Sequence, residues 1–134
     1  PHQLSGGMRK RVALAQTFIN QPKILLMDEP FSALDIQTRT LMQDELLSLW
    51  SELKSSVVFV THDLEEAVAL ADKVYVLTAG PGTVKSVYQI DLPRPRVMAD
   101  IRYDAQFVEI ARVIWNDLRE EVQIGQRRAL ASGN

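Results

Sequence analysis

An uninterrupted apolar run, residues 24–27 in the segment KILLMDEP, limits the folds open to this chain; it ends on Asp28 and Glu29. A short continuous run of this kind is typical of a strand buried on both faces, as in a parallel sheet covered by helices. Two further β-branched runs, SVVFVTH and KVYVLT, follow after segments with helical spacing. The order strand, helix, strand, helix, strand predicts right-handed crossovers and an α/β fold.

The remaining segments predict helices and one hairpin. Apolar spacing predicts a first helix from about Gly6 to Phe18, which the sequence Asn-Gln-Pro then ends. The glycines and proline of AGPGT indicate a turn, and VKSVYQIDL after it is predicted to return as an antiparallel strand. DAQFVEIARVIWNDLREEV is amphipathic and predicts a terminal helix, whereas the last residues, ALASGN, are expected to be loose.

Composition excludes several classes of protein. The chain has 134 residues, a formal net charge of −2 and no cysteine. The charge argues against a general nucleic-acid binder, and the absence of cysteine excludes disulfides, thiolate zinc sites and cysteine nucleophiles. No secretion signal is visible and no apolar run approaches the roughly 20 residues of a membrane span, so we expect a cytoplasmic location. Because it opens on Pro1 with motif-like residues, we also expect it to be a fragment.

Polar residues end two successive predicted strands. Asp28 and Glu29 close the first, and Thr61 and His62 close the second. Ligands of open α/β sheets bind outside the carboxyl ends of parallel strands, so these side chains should share one rim. An aspartate there can hold Mg²⁺ through water, and a glutamate can orient or deprotonate a water aligned on a phosphate. The alternative is that the acids merely begin a loop and that His62 is a structural histidine.

The start of the first helix has the character of an anion site. Ser5, Gly6 and Gly7 precede its apolar positions. Backbone N–H groups at a helix start lack intrahelical partners, the helix dipole favours negative charge, and glycine permits close approach of a ligand. The alternative is that Ser5 is an N-cap and that the cations after it are a solvated surface. These cations are Arg9, Lys10 and Arg11.

Four motifs together resemble the ATP-binding cassette (ABC) ATPases. LSGGM, ILLMDEP, SALD and THD, at residues 4–8, 24–30, 32–35 and 61–63, are similar to the signature motif, Walker B strand, D-loop and switch histidine of that family. The resemblance implies a P-loop NTPase-like (RecA-like) parallel sheet flanked by helices, here a partial domain with an antiparallel hairpin and a C-terminal helix. It implies the C-terminal part of an ABC ATPase domain at residues 1–96 and an amphipathic helical extension at residues 97–134.

The resemblance also assigns roles to individual residues. Glu29 would be the catalytic base and His62 would contact the γ-phosphate of ATP, while Asp28 would hold Mg²⁺. Ser5, Gly6 and Gly7 would bind the γ-phosphate of an ATP held by the opposing subunit. Asp35, in its loop, would communicate across the dimer. The implied cofactors are therefore ATP and Mg²⁺, in a site that two chains complete.

Residues 91–96, DLPRPR, narrow the resemblance to the ATPase subunits of importers for nitrate, sulfonates, taurine and related small anions. The implied partners are a second ATPase subunit, transmembrane permease subunits and, indirectly, a solute-binding protein. No nucleic acid is expected. The implied location is peripheral, on the inner face of the cell membrane. The transported solute is not readable from these residues.

Two departures from the family and two other functions bear on this interpretation. The chain has no G-x-x-x-x-G-K-[ST] loop, since GPGTVKS at residues 80–86 has Val84 where glycine must precede lysine, so the chain alone should not hydrolyse ATP. Lys10 and Gln16 stand where glutamine and arginine are usual in that family.

Two other functions remain as alternatives to the importer ATPase. A non-transport ABC ATPase acting on nucleic acid or the ribosome is one alternative. A non-catalytic interaction domain is the other.

Overall fold

The computed structural model describes residues 6–132 and shows helices alternating with strands. The elements are α1 (Gly6–Ile19), β1 (Ile24–Asp28), α2 (Ile36–Leu53), β2 (Ser56–Val60), α3 (Leu64–Leu70), β3 (Lys73–Leu77), β4 (Val84–Gln89), α4 (Met98–Ile101) and α5 (Ala105–Ser132). This order confirms the predicted α/β fold.

The chain forms two compact units. Among the described residues, 6–62 with 95–100 belong to unit 1, and 63–94 with 101–132 belong to unit 2. The division proposed from sequence at residue 96 stays a prediction. Within residues 6–132, none of the helices combines the length and the apolar character that a transmembrane helix requires.

Unit 1 is built on a parallel pair of strands joined by a helix. β1 and β2 run parallel with Asp28 opposite Val60, and α2 is the crossover between them. The carboxylate of Asp35 caps α2 by accepting a hydrogen bond from the Thr38 backbone N–H at 3.0 Å. The helix ends at Lys54, whose left-handed backbone, with φ of 52°, stops further helical hydrogen bonding. The crossover thereby delivers both strand ends to one rim.

The apolar run in β1 is not buried on both faces as predicted. Leu25 and Met27 are buried, whereas Ile24 and Leu26 are 65% and 75% exposed. Alternate side chains of a strand point to opposite faces, and the described part of unit 1 covers only the face of Leu25 and Met27. The predicted continuation of the sheet is also absent from the described residues, because β3 pairs with β4 in a sheet of its own.

Unit 2 contains an antiparallel hairpin and two helices. β3 and β4 pair from Lys73 opposite Gln89 to Leu77 opposite Val84, as predicted. The segment GPGTVKS therefore includes a hairpin loop and the beginning of β4, and it does not connect a strand to a helix. Asp63 caps α3, because its carboxylate accepts hydrogen bonds from the backbone N–H groups of Glu65 and Glu66 at 2.9 and 3.2 Å.

The terminal helix is longer than predicted. α5 continues to Ser132, so the expectation of a loose end is wrong for residues 129–132, while residues 133–134 lie outside the described range. Alanine, leucine, arginine and glutamine have high helix propensity, which explains the extension. Phe107 and Ile114 are 3% and 1% exposed and anchor the helix in the core of unit 2. A short helix, α4, was not predicted.

Candidate active site

The ends of β1 and β2 bring Glu29 and His62 together. The backbone N–H of Glu29 donates to the Val60 carbonyl at 2.8 Å, which extends the parallel pairing one residue beyond Asp28. His62 lies two residues after β2, and its Nδ1 is 3.0 Å from Glu29 Oε1. The predicted shared rim therefore contains this contact. Both side chains remain open to solvent, with exposed fractions of 73% for His62 and 44% for Glu29.

The contact with Glu29 determines which ring nitrogen of His62 can donate a hydrogen bond to a ligand. A carboxylate accepts hydrogen bonds and does not donate them, so the proton between the groups is on Nδ1 of His62. In the neutral ring Nε2 is then an acceptor. A hydrogen bond from Nε2 to a phosphate oxygen, with the Glu29 contact retained, requires the protonated ring, in which both nitrogens donate.

The backbone of Glu29 is in an unusual conformation. Its φ is 42°, in the left-handed region, although it is not a glycine and it precedes Pro30. Residues before proline favour extended backbone, and a non-glycine residue in a sparsely populated region costs about 1–3 kcal/mol. The carbonyl of Glu29 accepts hydrogen bonds from the Ser32 backbone N–H at 3.3 Å and from Ser32 Oγ at 3.0 Å. Local contacts thus hold a conformation that the residue types disfavour.

Asp28 ends β1 on the exposed face of the sheet. It lines a shallow depression of about 360 Å³ with Leu26, Met27, Val58 and Val60. Among residues 6–132, no three His, Asp or Glu side chains are grouped closely enough to enclose a metal ion. Mg²⁺ in nucleotide sites commonly takes one or two carboxylates, with water and phosphate oxygens as the other ligands. A single accessible carboxylate at a strand end fits that pattern.

Asp35 has a structural task that the sequence analysis missed. Its Oδ1 accepts the Thr38 backbone N–H at the start of α2, and this hydrogen bond, assisted by the Thr38 side chain, lowers the pKa of Asp35. Its position immediately before a helical apolar pattern was the signal for an N-cap. The cap fixes the loop between Glu29 and α2 at its far end.

The predicted anion cradle is only partly described. Ser5 lies outside the described residues. Gly6 and Gly7 form the beginning of α1, as predicted. The first N–H groups of a helix have no intrahelical acceptor, so the first turn of α1 is a place where backbone donors can meet an anion.

Comparison with known proteins identifies the family. The family model described as "ABC transporter" matches residues 1–32. An uncharacterized ABC transporter ATP-binding protein of Methanocaldococcus jannaschii is 53% identical over 122 residues, covering 91% of this chain and 44% of the relative. The nitrate import ATP-binding protein of Synechocystis is 53% identical over 93 residues, covering 69% of this chain and 35% of the relative.

A third relative, the aliphatic sulfonates import ATP-binding protein of Bacillus licheniformis, is 49% identical over 96 residues, which are 72% of this chain and 38% of the relative. The chain thus spans less than half the length of these curated relatives. The matches agree with the four motifs quoted above and with the α/β architecture. The chain belongs to the family of ABC transporter ATP-binding proteins.

Proposed function

We propose that the protein containing this chain is the ATP-hydrolysing subunit of an ABC importer. The observation that carries the proposal is the 3.0 Å contact between Glu29 Oε1 and His62 Nδ1 at the ends of two parallel strands, next to Asp28. An acid and an imidazole at this edge support the proposal, because α/β sheets bind ligands outside the carboxyl ends of parallel strands. The names of the nitrate and sulfonate import relatives support the transport role.

Each rim residue has a distinct task in this proposal. Glu29 orients the attacking water and accepts its proton, since a carboxylate open to solvent can reach a water aligned on a phosphate. His62 holds the Glu29 carboxylate through Nδ1 and, when protonated, donates from Nε2 to the terminal phosphate. Asp28 would hold Mg²⁺, whose contribution when bound is to neutralise phosphate charge.

The helix start and the Asp35 loop serve a second subunit. Ser5, Gly6 and Gly7 bind the γ-phosphate of ATP held by the opposing subunit, using backbone N–H groups and the Ser5 hydroxyl. Asp35, fixed as the cap of α2, holds its loop in a defined position for contact across the dimer. Residues 1–134 alone should not hydrolyse ATP, because they contain no G-x-x-x-x-G-K-[ST] loop.

The proposed partners are transmembrane permease subunits, with a solute-binding protein acting through them, at the inner face of the membrane. The proposed solute is a small anion such as nitrate, a sulfonate or taurine. Residues 91–96 and the import relatives support this choice.

The decisive experiment is Glu29→Gln in the whole protein, assayed for ATP turnover and for nucleotide binding. Loss of the base should lower kcat by about 10²–10⁴-fold and leave binding of Mg-ATP intact. Glu52→Gln, the same chemical change at an exposed position of α2, is the matched control and should keep full turnover. Turnover near the normal rate in Glu29→Gln would contradict the proposed role.

A further inference from the structure

The turn after Glu29 holds the backbone carbonyl of that residue through two hydrogen bonds. Ser32 donates twice to the Glu29 carbonyl oxygen, from its backbone N–H at 3.3 Å and from Oγ at 3.0 Å. The N–H bond is the ordinary closure of a four-residue turn and would be available to any residue except proline. The hydroxyl bond is specific to serine or threonine.

The carbonyl and the carboxylate of Glu29 depend on the same backbone angles. The direction of the Cα–Cβ bond follows from φ and ψ, so a shift of Glu29 from its φ of 42° towards extended backbone would turn its side chain away from His62. Extended backbone is also what the following proline favours. A donor that holds the Glu29 carbonyl therefore helps to hold its carboxylate.

The donor is itself held in place by the turn. Phe31 is 2% exposed, and its ring centroid lies 5.9 Å from that of Phe59 in β2. The Leu34 N–H donates to the Phe31 carbonyl at 3.1 Å, and Arg39 Nη2 donates to the Leu34 carbonyl at 3.2 Å. The hydroxyl of Ser32 is thus presented from a segment anchored to the sheet on one side and to α2 on the other.

We propose that Ser32 is a positioning residue, which holds the Glu29 carboxylate in its reactive direction through the Glu29 carbonyl. This inference rests on the proposed function, in which Glu29 is the base. It adds a residue that acts on hydrolysis without touching ATP, and it predicts an effect on kcat with little effect on nucleotide binding.

The first test is turnover of Ser32→Ala and Ser32→Thr in the whole protein. Losing one hydrogen bond that acts through Glu29 should lower kcat about 3–10-fold with KM for ATP unchanged. Ser32→Thr keeps the hydroxyl and should restore most of the rate. Ser51→Ala is the matched control, because Ser51 Oγ makes the same kind of bond to the Ser48 carbonyl at 2.7 Å within α2. Full turnover in Ser32→Ala would overturn the proposal.

The second test is a double-mutant cycle with Glu29→Gln, measured by single-turnover hydrolysis over hours. If Ser32 acts through the carboxylate, Ser32→Ala should cause no further loss in the Glu29→Gln background. An equal loss in both backgrounds would show that Ser32 acts independently and would overturn the proposal. Near-normal turnover of Glu29→Gln itself would contradict the role of Glu29 as the base, and the proposal for Ser32 would then also be wrong. If Glu29→Gln abolishes ATP turnover and Ser32→Ala leaves it unchanged, only the role of Ser32 would be contradicted.

Discussion

Two clusters of ionisable side chains, one in each unit, differ in how far their central groups are exposed to solvent. In unit 1, Glu29 and His62 share one contact of 3.0 Å and are 44% and 73% exposed. In unit 2, Lys85 Nζ of β4 lies 2.9 Å from Glu121 Oε1, 3.1 Å from Glu120 Oε2 and 3.3 Å from Asp117 Oδ1 of α5, and its side chain is 20% exposed.

The pKa directions in unit 2 agree with a structural task. Ser86 Oγ, Tyr88 OH and Lys85 all bond to Asp117 and lower its pKa, with Ser86 the largest influence. The Ala79 backbone N–H, followed by Lys85, lowers the pKa of Glu121. Glu121 and its neighbours in turn raise the pKa of Lys85. Groups held in their charged forms by many partners stabilise a fold, whereas an acid and an imidazole that are both largely exposed can be reached by a ligand and a water.

Removing His62 tests the functional side of this comparison and should give the largest effect. Under the proposed function, His62→Ala in the whole protein should lower kcat by about 10²-fold, because Glu29 would lose its orienting partner and the terminal phosphate would lose a donor. The melting temperature should change by no more than about 2 °C, since the side chain is largely exposed. ATP turnover and thermal unfolding are the two measurements.

Lys85→Met is the comparison variant for that experiment, because it removes the central ionisable group of the cluster in unit 2. It should leave turnover within about two-fold of normal. A normal rate in His62→Ala together with a large loss in Lys85→Met would reverse the assignment of the two clusters.

The buried apolar residue Ile114 of α5 tests how much burial, as opposed to charge, stabilises unit 2. Ile114 is 1% exposed, so Ile114→Ala should destabilise the protein by about 2–5 kcal/mol through lost burial and the cavity left behind. Urea unfolding measures this loss. Val108→Ala is the control on the same helix, because Val108 is 52% exposed and its truncation should cost far less. Equal losses would show that the helix does not depend on its buried face.

The smallest expected effect is the pH dependence of the Lys85 cluster. At neutral pH, Lys85→Met should lower the melting temperature by about 2–4 °C. The carboxylates have lowered pKa values in the fold, so their contribution is present above their ordinary values of 3.8 and 4.5 and is lost as pH falls below them. Lys85 has a raised pKa, so its contribution is complete below 10.5 and declines as pH rises above that value.

The difference in melting temperature between the original protein and Lys85→Met should therefore be largest between about pH 5 and 10 and should shrink at both extremes. Thermal unfolding across this pH range provides the measurement. A difference that stays constant down to pH 3 would show that the cation is not paired with Asp117 and Glu121.

Local pattern predicted the elements well. The periodicity of residues 6–18, the β-branched runs and the glycine-proline turn led to α1, β1, β2 and the hairpin with small errors in their ends. The meeting of Glu29 with His62 also followed from pattern, because two parallel strands joined by a helix bring their carboxyl ends to one rim. The amphipathic pattern predicts a terminal helix that is about ten residues too short, because residues of high helix propensity continue α5 beyond that pattern.

Three features of the structure could not be predicted from local sequence pattern. The exposure of Leu26 depends on what covers the second face of β1. The left-handed backbone of Glu29 follows from a turn anchored by Phe31, and residue type alone argues against it. The partners of Lys85 lie 32 to 36 residues away along the chain, on α5.

Residue order and side-chain type thus specify the helices, the strands and the rim on which the chemistry is proposed, because those depend on contacts within a few residues and on the geometry of a parallel crossover. Tertiary structure alone decides which face of a strand is covered, how Glu29 is aimed and which charges are neutralised, because each depends on groups that come together only after the chain has folded.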